Sequence, residues 1–269
     1  MNKTASGKKA RGHDGPMRGR VGLFATCLVD LFRPSVGFAT AMLLERAGYE
    51  VAVPESQTCC GQPAYNSGDR RDAAALARHV IRDFEGFDYV VAPSGSCAAM
   101  LRHHYPDLLR EDADFGPRAV ALAEKTHELT AFLSDIAGYD LQGISLHKIA
   151  TYHDSCSGLR ELGVKEQPRR LLQGVDGLAL REMNDPEACC GFGGTFCVKY
   201  GEISTEIVAR KIADAAETGA EMLLAGDMGC LMNMAGRLRR EGRNIEARHV
   251  AEVLAGMMED PPIGQGDKN

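Results

Sequence analysis

The 269-residue sequence predicts an α/β fold of two pseudo-symmetric modules with mostly parallel sheets. Three observations carry that expectation. Eight of the nine cysteines form two sets of four, Cys27, Cys59, Cys60, Cys97 and Cys156, Cys189, Cys190, Cys230, offset by 129, 130, 130 and 133 residues. Short apolar runs alternate with amphipathic helical segments in both halves, the pattern of strand–helix–strand units. The length suits two domains of about 130 residues, each able to form a core. A repeat on this scale signals a duplicated Rossmann-like domain rather than a short-period solenoid.

Residues 1–19 carry Lys3, Lys8, Lys9, Arg11 and Arg18 against Asp14, are rich in glycine and lack apolar periodicity, so a disordered basic tail is expected there. The first module is expected over 20–140. Residues 20–26 (RVGLFAT) read as a buried strand stopping at Cys27. Pro34 suits the first turn of a helix whose Val36, Ala39, Leu43 and Ala47 share a face and which Gly48 ends. A strand at 49–54 leads to the Cys59-Cys60-Gly61 loop. A helix over 69–85 turns Ala73, Leu76, Ala77, Val80 and Phe84 inward, with Gly86 as its stop. The strand at 89–93 runs through Ser94-Gly95-Ser96 into a helix that opens near Cys97. Residues 117–137 keep a helical period, and 138–145 connect the halves.

The second module, over 141–258, repeats the plan. A strand at 148–153 leads to Cys156, and one at 178–183 precedes Cys189-Cys190-Gly191. A helix over 198–218 places Val208, Ile212 and Ala215 on one face, and 221–226 leads to Cys230. A strand at 245–250 and a short helix through Leu254 complete it. Pro261, Pro262, Gly264 and Gly266 mark 259–269 as a second disordered tail. In open parallel sheets, sites form beyond the carboxyl ends of the strands. The cysteines stand at or just past those ends.

A net charge of −6 and a pI near 5.8 argue against nucleic acid as the partner. No apolar run is long enough for a signal peptide or a membrane span, so the expected compartment is the cytoplasm. Nine cysteines there point to metal or redox chemistry rather than structural disulfides. Thiolates select zinc, copper(I) or iron–sulfur clusters. Zinc usually takes Cys-x-x-Cys turns, of which the sequence has none. Adjacent cysteines diverge on an extended backbone, and a four-iron core with several metal corners tolerates such a pair better than one ion. Gly61, Gly191, Gly193 and Gly194 let backbone approach a bulky group and donate N–H groups to sulfur. Cys97 and Cys230 at helix N-termini would sit where the dipole favours thiolate.

Other residues read more plainly. His153 suits a packed core or a neighbour of the ligands. Asp30, Asp154 and Asp227 suit helix caps. Glu161, Glu166, Arg169 and Arg170 read as a solvated helix face, Met100 and Met228 as core filler, and Cys197 as a small half-buried residue. No Gly-x-Gly-x-x-Gly follows a strand, so neither nicotinamide nor flavin is expected.

The doubled Cys-x(n)-Cys-Cys-Gly-x(n)-Cys pattern resembles the CCG domain pair found in the cysteine-rich subunit of heterodisulfide reductase and in the iron–sulfur subunits of glycolate and anaerobic glycerol-3-phosphate oxidation. Residues 59–68 (CCGQPAYNSG), 189–196 (CCGFGGTF) and Gly236-Arg237-Leu238 resemble more closely the lactate utilization protein A family. The resemblance implies an iron–sulfur, electron-transferring subunit of an oxidoreductase complex taking L-lactate to pyruvate. Its implied partners are a ferredoxin-like iron–sulfur subunit and a third small subunit. His153 is the one candidate base for such an oxidation. Where heterodisulfide reductase has a fifth cysteine in each motif, this sequence has Met100 and Asn233. Four thiolates per module fit one [4Fe–4S] cluster each, with zinc open for one module. Two other functions stay open: a heterodisulfide or thiol–disulfide reductase component, and a zinc-stabilised scaffold.

Overall fold

A computed structural model of the chain describes residues 17–265. The first sheet contains β1 (Arg20–Leu23), β2 (Glu50–Ala52), β3 (Tyr89–Ala92) and β4 (Thr126–Glu128), all parallel, in the order β2-β1-β3-β4. The second contains β5 (Ser145–Tyr152), β6 (Asp176–Leu180), β7 (Met222–Ala225) and β8 (Glu246–His249), also parallel, in the order β6-β5-β7-β8. The expected α/β class and duplication are therefore observed. In both sheets the chain leaves the first central strand to one side and returns on the other. This creates a switch point between β1 and β3, and another between β5 and β7, where parallel sheets hold their ligands.

The long helices form where the apolar period places them. Pro34–Arg46 buries Val36, Ala39, Leu43 and Leu44, and the chain turns beyond it at Gly48, whose φ is +90°. Arg70–Phe84 starts at Asp69, whose carboxylate accepts the N–H of Asp72, and buries Ala73, Ala77, Val80, Ile81 and Phe84. Its counterpart Gly201–Glu217 buries Ser204, Val208, Lys211, Ile212 and Ala215.

Three expectations are corrected, and the expected helix at Cys97 gains a detail. The helical period over 117–137 conceals β4, which pairs with β3 between the helix Phe115–Glu124 and the turn Leu129–Ala131. Three residues are too few to interrupt a 3.6-residue pattern, and only pairing with β3 reveals the strand. The helix near Cys97 widens into a π-helical stretch, Met100–His104. Arg18, expected in the disordered tail, donates from its backbone to Gly48 O at 2.9 Å and from its side chain to Ala137 O at 2.6 Å; the remainder of that expected tail, residues 1–16, lies outside the described residues. The segment 259–265 folds back rather than leaving the surface. Ile263 N–H donates to Ala247 O at 2.9 Å, while Arg248 and Arg33 bind the carbonyls of Asp260 and Pro261 at 2.9 and 2.7 Å.

Each module was expected to have its own core, yet only one of the two apolar clusters respects that division. Phe24, Ala77, Phe84, Val90 and Leu101 pack within the first module. The larger cluster joins Val21, Val36 and Leu43 to Ala150, Leu224 and Leu254, so the modules share an interior. The seam also holds a buried ion pair, Arg33 Nε to Glu252 Oε1 at 2.7 Å, which Ser35 Oγ joins at 2.7 Å. At the centre Gly95 meets Gly158 backbone to backbone. A Cβ on Gly95 would lie 2.8 Å from Gly158 Cα, where no flexible side chain can yield. Gly95→Ala should therefore destabilise the protein by about 1–3 kcal/mol through separation of the modules, read as a lower urea midpoint; an unchanged midpoint would remove this contact from the seam.

Glu128, fully buried at the end of β4, accepts Thr130 N–H, Thr130 O–H and Ala131 N–H at 2.8, 2.6 and 3.0 Å. Burial outweighs those bonds and lifts its carboxyl to about 7. A raised carboxyl keeps its proton longer in the folded protein than in the unfolded chain. Its stabilising contribution is complete below the unfolded value and is lost as pH climbs through the folded one. The stability of wild type relative to Glu128→Gln should fall by about 3 kcal/mol between about pH 4.5 and 7 and stay level above. Urea titrations of both proteins across that range check this.

Candidate metal centre

Each cysteine set is assembled from the loops that leave the strands at the switch point. In the first module Cys27 opens the helix Cys27–Phe32 after β1, Cys59 and Cys60 end the loop after β2, and Cys97 lies in the first turn after β3. Cys27 Sγ lies 3.8 Å from Cys59 Sγ, and Cys60 Sγ 3.5 Å from Cys97 Sγ. All four line a cavity of about 270 Å³, whose far wall is the second module's Phe192, Gly194 and Asp227. The volume is several times the ~30 Å³ share of one water.

The second module repeats the plan with Cys156 opening the helix Cys156–Arg160, Cys189 and Cys190 after β6, and Cys230 in the first turn of Met228–Arg240. Here a histidine joins the thiols. Among the described residues, one group of three potential ligands has its donor atoms within 4.8 Å of one another: His153, Cys190 and Cys230. His153 is fully buried, and neither ring nitrogen has a hydrogen-bond partner. The ring is thus packed in the core beside the cysteines, as expected, but its nitrogens are not satisfied there. Without exposed surface it also lacks access to a substrate as a base.

The thiol electrostatics match between modules. Hydrogen bonds from Cys27 and then Cys60, with the Gly61 N–H, hold Cys59 down to about 2, against the burial that opposes them. Cys156, Cys190 and the Gly191 N–H do the same for Cys189, also to about 2. The partner thiols Cys27 and Cys156 are pushed up, first by the same bonds and then by burial. One position in each set thus holds thiolate readily, while Cys27 and Cys156 keep their protons until a cation replaces them.

The glycines supply the bend. Gly61 and Gly191 adopt φ of +80° and +78°, the left-handed region that turns the chain immediately after the cysteine pair. A Cβ on Gly191 would lie 2.7 Å from Ser204 O. The Gly191 N–H donates to Cys189 Sγ at 3.3 Å. Gly193 and Gly194 continue the turn at +52° and +62°, and Cys197 Sγ, half-buried, donates to Gly194 O at 3.3 Å.

Of the residues that support the cysteine loops, Tyr105 carried no sequence signal. Tyr105 Oη donates to Cys60 O at 2.9 Å, and Asn233 Nδ2 donates to Cys190 O at 2.8 Å, so equivalent carbonyls are clamped by unlike side chains. Met100 is fully buried. Gln62 Nε2 reaches Ser96 O at 3.3 Å and ties the pair loop to the Cys97 loop. Asp227 accepts Gly229 N–H as expected of a cap, but Asp154 does not cap a helix: it binds Arg169 at 2.9 Å through both oxygens. Arg169 also reaches Glu182 at 2.7 Å, so it is a half-buried fork rather than part of a solvated face.

The residues present fit a bulky thiophilic group: four soft donors per module, backbone turned to admit it, and unpartnered buried nitrogens beside the second set. Fold and site together define a protein of two cysteine-rich domains, and the family model described as a cysteine-rich (CCG) domain matches residues 21–102 and 150–235. The chain belongs to the lactate utilization protein A family. It is 52% identical over 235 residues to "Lactate utilization protein A" of Geobacillus sp. (strain WCH70), covering 87% of this chain and 98% of that protein. It is 49% identical over 235 residues to the protein of the same name from Bacillus subtilis (strain 168), with the same coverage. A hypothetical protein from Helicobacter pylori shares the fold at a TM-score of 0.62 and 10% identity, over 94% of this chain and 52% of that one.

Tyr105→Phe leaves the Cys60 carbonyl without its buried donor. It should cost about 1–3 kcal/mol of stability, with amide exchange rising first around 59–66. Equal loosening of both cysteine loops would show that the clamp is not local.

Proposed function

We propose that the chain is an iron–sulfur electron-transfer subunit of a complex oxidising L-lactate to pyruvate, with one [4Fe–4S] cluster per module. Cys27, Cys59, Cys60 and Cys97 would hold the first and Cys156, Cys189, Cys190 and Cys230 the second. The observation that carries the reading is the gathering of four thiols in each module, beside the cavity in the first and through the Cys156–Cys189–Cys190–Cys230 chain of contacts in the second, in a chain whose relatives are named for lactate utilization. Such a cluster, when bound, supplies one-electron transfer at a potential set by its surroundings.

The protein's part is to hold and tune. Gly61 and Gly191 N–H groups point at Cys59 and Cys189 and favour their thiolates. Tyr105 and Asn233 stiffen the pair loops by gripping the Cys60 and Cys190 carbonyls. Oxidation of lactate to pyruvate releases two electrons and two protons, and two one-electron centres are the natural complement to that pair. The electrons would pass between this chain, a ferredoxin-like iron–sulfur subunit and a third small subunit. Among the described residues no helix is long and apolar enough to cross a membrane, and a set of free thiols suits the reducing cytoplasm.

A second reading has one observation behind it. His153, Cys190 and Cys230 are spaced for a single ion, so zinc in the second module would make that half a scaffold. A disulfide-cleaving role fits less well, since the fifth-sulfur positions hold a buried methionine and an asparagine engaged with Cys190 O.

Metal analysis of protein purified without oxygen tests these readings. The expected result is a brown protein with about eight irons and matching sulfide per chain. Cys60→Ser should lose about half the iron while the second module keeps its own. A colourless protein holding zinc alone would overturn the electron-transfer reading, and undiminished growth on lactate after deletion would overturn the pathway assignment.

A further inference from the structure

The modules are built alike but are not electrostatically equal, and the differences converge on the second cysteine set. Backbone bonding identifies the matching positions. Beyond β1, Phe24 N–H donates to Val91 O at 2.9 Å; beyond β5, His153 N–H donates to Leu224 O at 2.8 Å. Each stands three residues before the first cysteine of its set. His153 therefore occupies the place of Phe24. On the helices, the space facing Gly61 is closed by Ala73 O and Leu76, and that facing Gly191 by Ser204 O and Ile207. This register sets Ala73, Ala77, Val80 and Phe84 against Ser204, Val208, Lys211 and Ala215, all buried. Lys211 therefore stands where the first module has Val80. Two apolar side chains of one core are replaced by two nitrogen-bearing ones in the other.

The protein's own bonding does not account for both. The two nitrogens of His153 lack partners although the side chain is sealed from water, a condition that costs about 1–3 kcal/mol per unsatisfied group. A ring nitrogen lies within 4.8 Å of the Cys190 and Cys230 sulfurs. Lys211, 2% exposed, donates Nζ to Asp185 O and Pro186 O at 2.7 and 2.9 Å. Among the described residues it forms no ion pair with a carboxylate; burial opposes its charge, which interacts with Asp214, Asp185 and Asp154 as well as with Cys190 and His153.

We propose that His153 and Lys211 hold the second iron–sulfur centre at a higher reduction potential than the first, His153 by an N–H directed at cluster or thiolate sulfur and Lys211 by a buried positive charge. The inference rests on the iron–sulfur reading above. Reduction adds one negative charge to a cluster, so a nearby donor and cation stabilise the reduced form more than the oxidised one. Poor solvent screening strengthens both effects. The first module offers Phe24 and Val80 in their place and gains neither. A ligand role for His153 is disfavoured because four thiolates already fill four iron corners. A ligating histidine also normally donates its other N–H to a carboxylate or carbonyl, and here neither nitrogen does so.

The test is a potentiometric titration of the full chain, purified and loaded without oxygen, followed by electron paramagnetic resonance. Cys60→Ser and Cys190→Ser assign the two signals. In the wild type, one added electron should favour the second centre at least tenfold, a separation of about 59 mV. His153→Phe, which copies the first module, should keep its iron and lose most of that preference. His153→Gln, which retains an N–H donor, should restore part of it, and Lys211→Met should shift the second signal the same way as His153→Phe. Phe24→His should raise the first centre, which keeps the inference testable if the His153 variants fail to fold. Equal wild-type potentials, or a second signal unmoved in both His153→Phe and Lys211→Met, would overturn the inference. Loss of second-module iron in His153→Phe would make the imidazole a ligand and overturn it too. Wild-type protein without iron refutes the functional reading itself, whereas a full iron complement with equal potentials refutes only the tuning.

Discussion

The arrangement of both sites depends on one carboxylate. Asp227 caps the helix that carries Cys230 by accepting Gly229 N–H at 3.1 Å. Its other oxygen crosses to the first module and accepts Ser94 Oγ–H at 3.0 Å and Ser96 N–H at 3.1 Å. Ser94 is itself the cap of the helix that carries Cys97. Ser94 and Asp227 each stand three residues before the last cysteine of their set, so equivalent caps meet at the pseudo-symmetry axis. A single buried group thereby fixes the position of one cysteine in each set relative to the other. A carboxylate suits this position because it can accept bonds on both sides, whereas two serines would have fewer lone pairs to share.

Around that contact the duplicated modules have diverged in their interiors while keeping their loops. The left-handed glycine after each cysteine pair and its N–H on sulfur recur almost unchanged. The clamp on the pair carbonyl also recurs, but tyrosine provides it in one module and asparagine in the other. Backbone geometry is thus the shared requirement, and side-chain chemistry is free to differ. The core around the second set uses that freedom to bury an imidazole and an ammonium where the first buries a phenyl ring and a valine. Burying such groups is costly without a partner; Lys211 finds two carbonyls, and the unpartnered imidazole of His153 points to a partner in the space it faces.

The shared interior explains why the seam carries polar specificity. Apolar contacts between helices 34–46 and 250–255 are non-directional, and the Arg33–Glu252 pair with Ser35 gives that packing a register. The returning segment 259–265 completes it by supplying a carbonyl to Arg33. Its prolines and glycines suggest an unstructured end, but they suit a strap equally well, since an extended strap needs no periodic apolar face.

Local chemistry written along the chain was enough for the class of fold, the duplication, seven of the eight strands among the described residues and the placing of cysteines at strand ends. Each of these rests on periodicity, on spacing, or on a glycine whose role is set by its own backbone. Other features required the folded chain, because they join residues that no pattern relates. β4 exists only through its bonds to β3, and Tyr105 meets Cys60 across 45 positions. Arg169 left the surface only because Asp154 lay beneath it. The inequality of the modules belongs to this second group: His153 and Lys211 read as ordinary residues in sequence, and only the matched registers of two sheets and two helices place them opposite Phe24 and Val80. Periodicity reports which face of an element is buried, but only packing decides what that face meets.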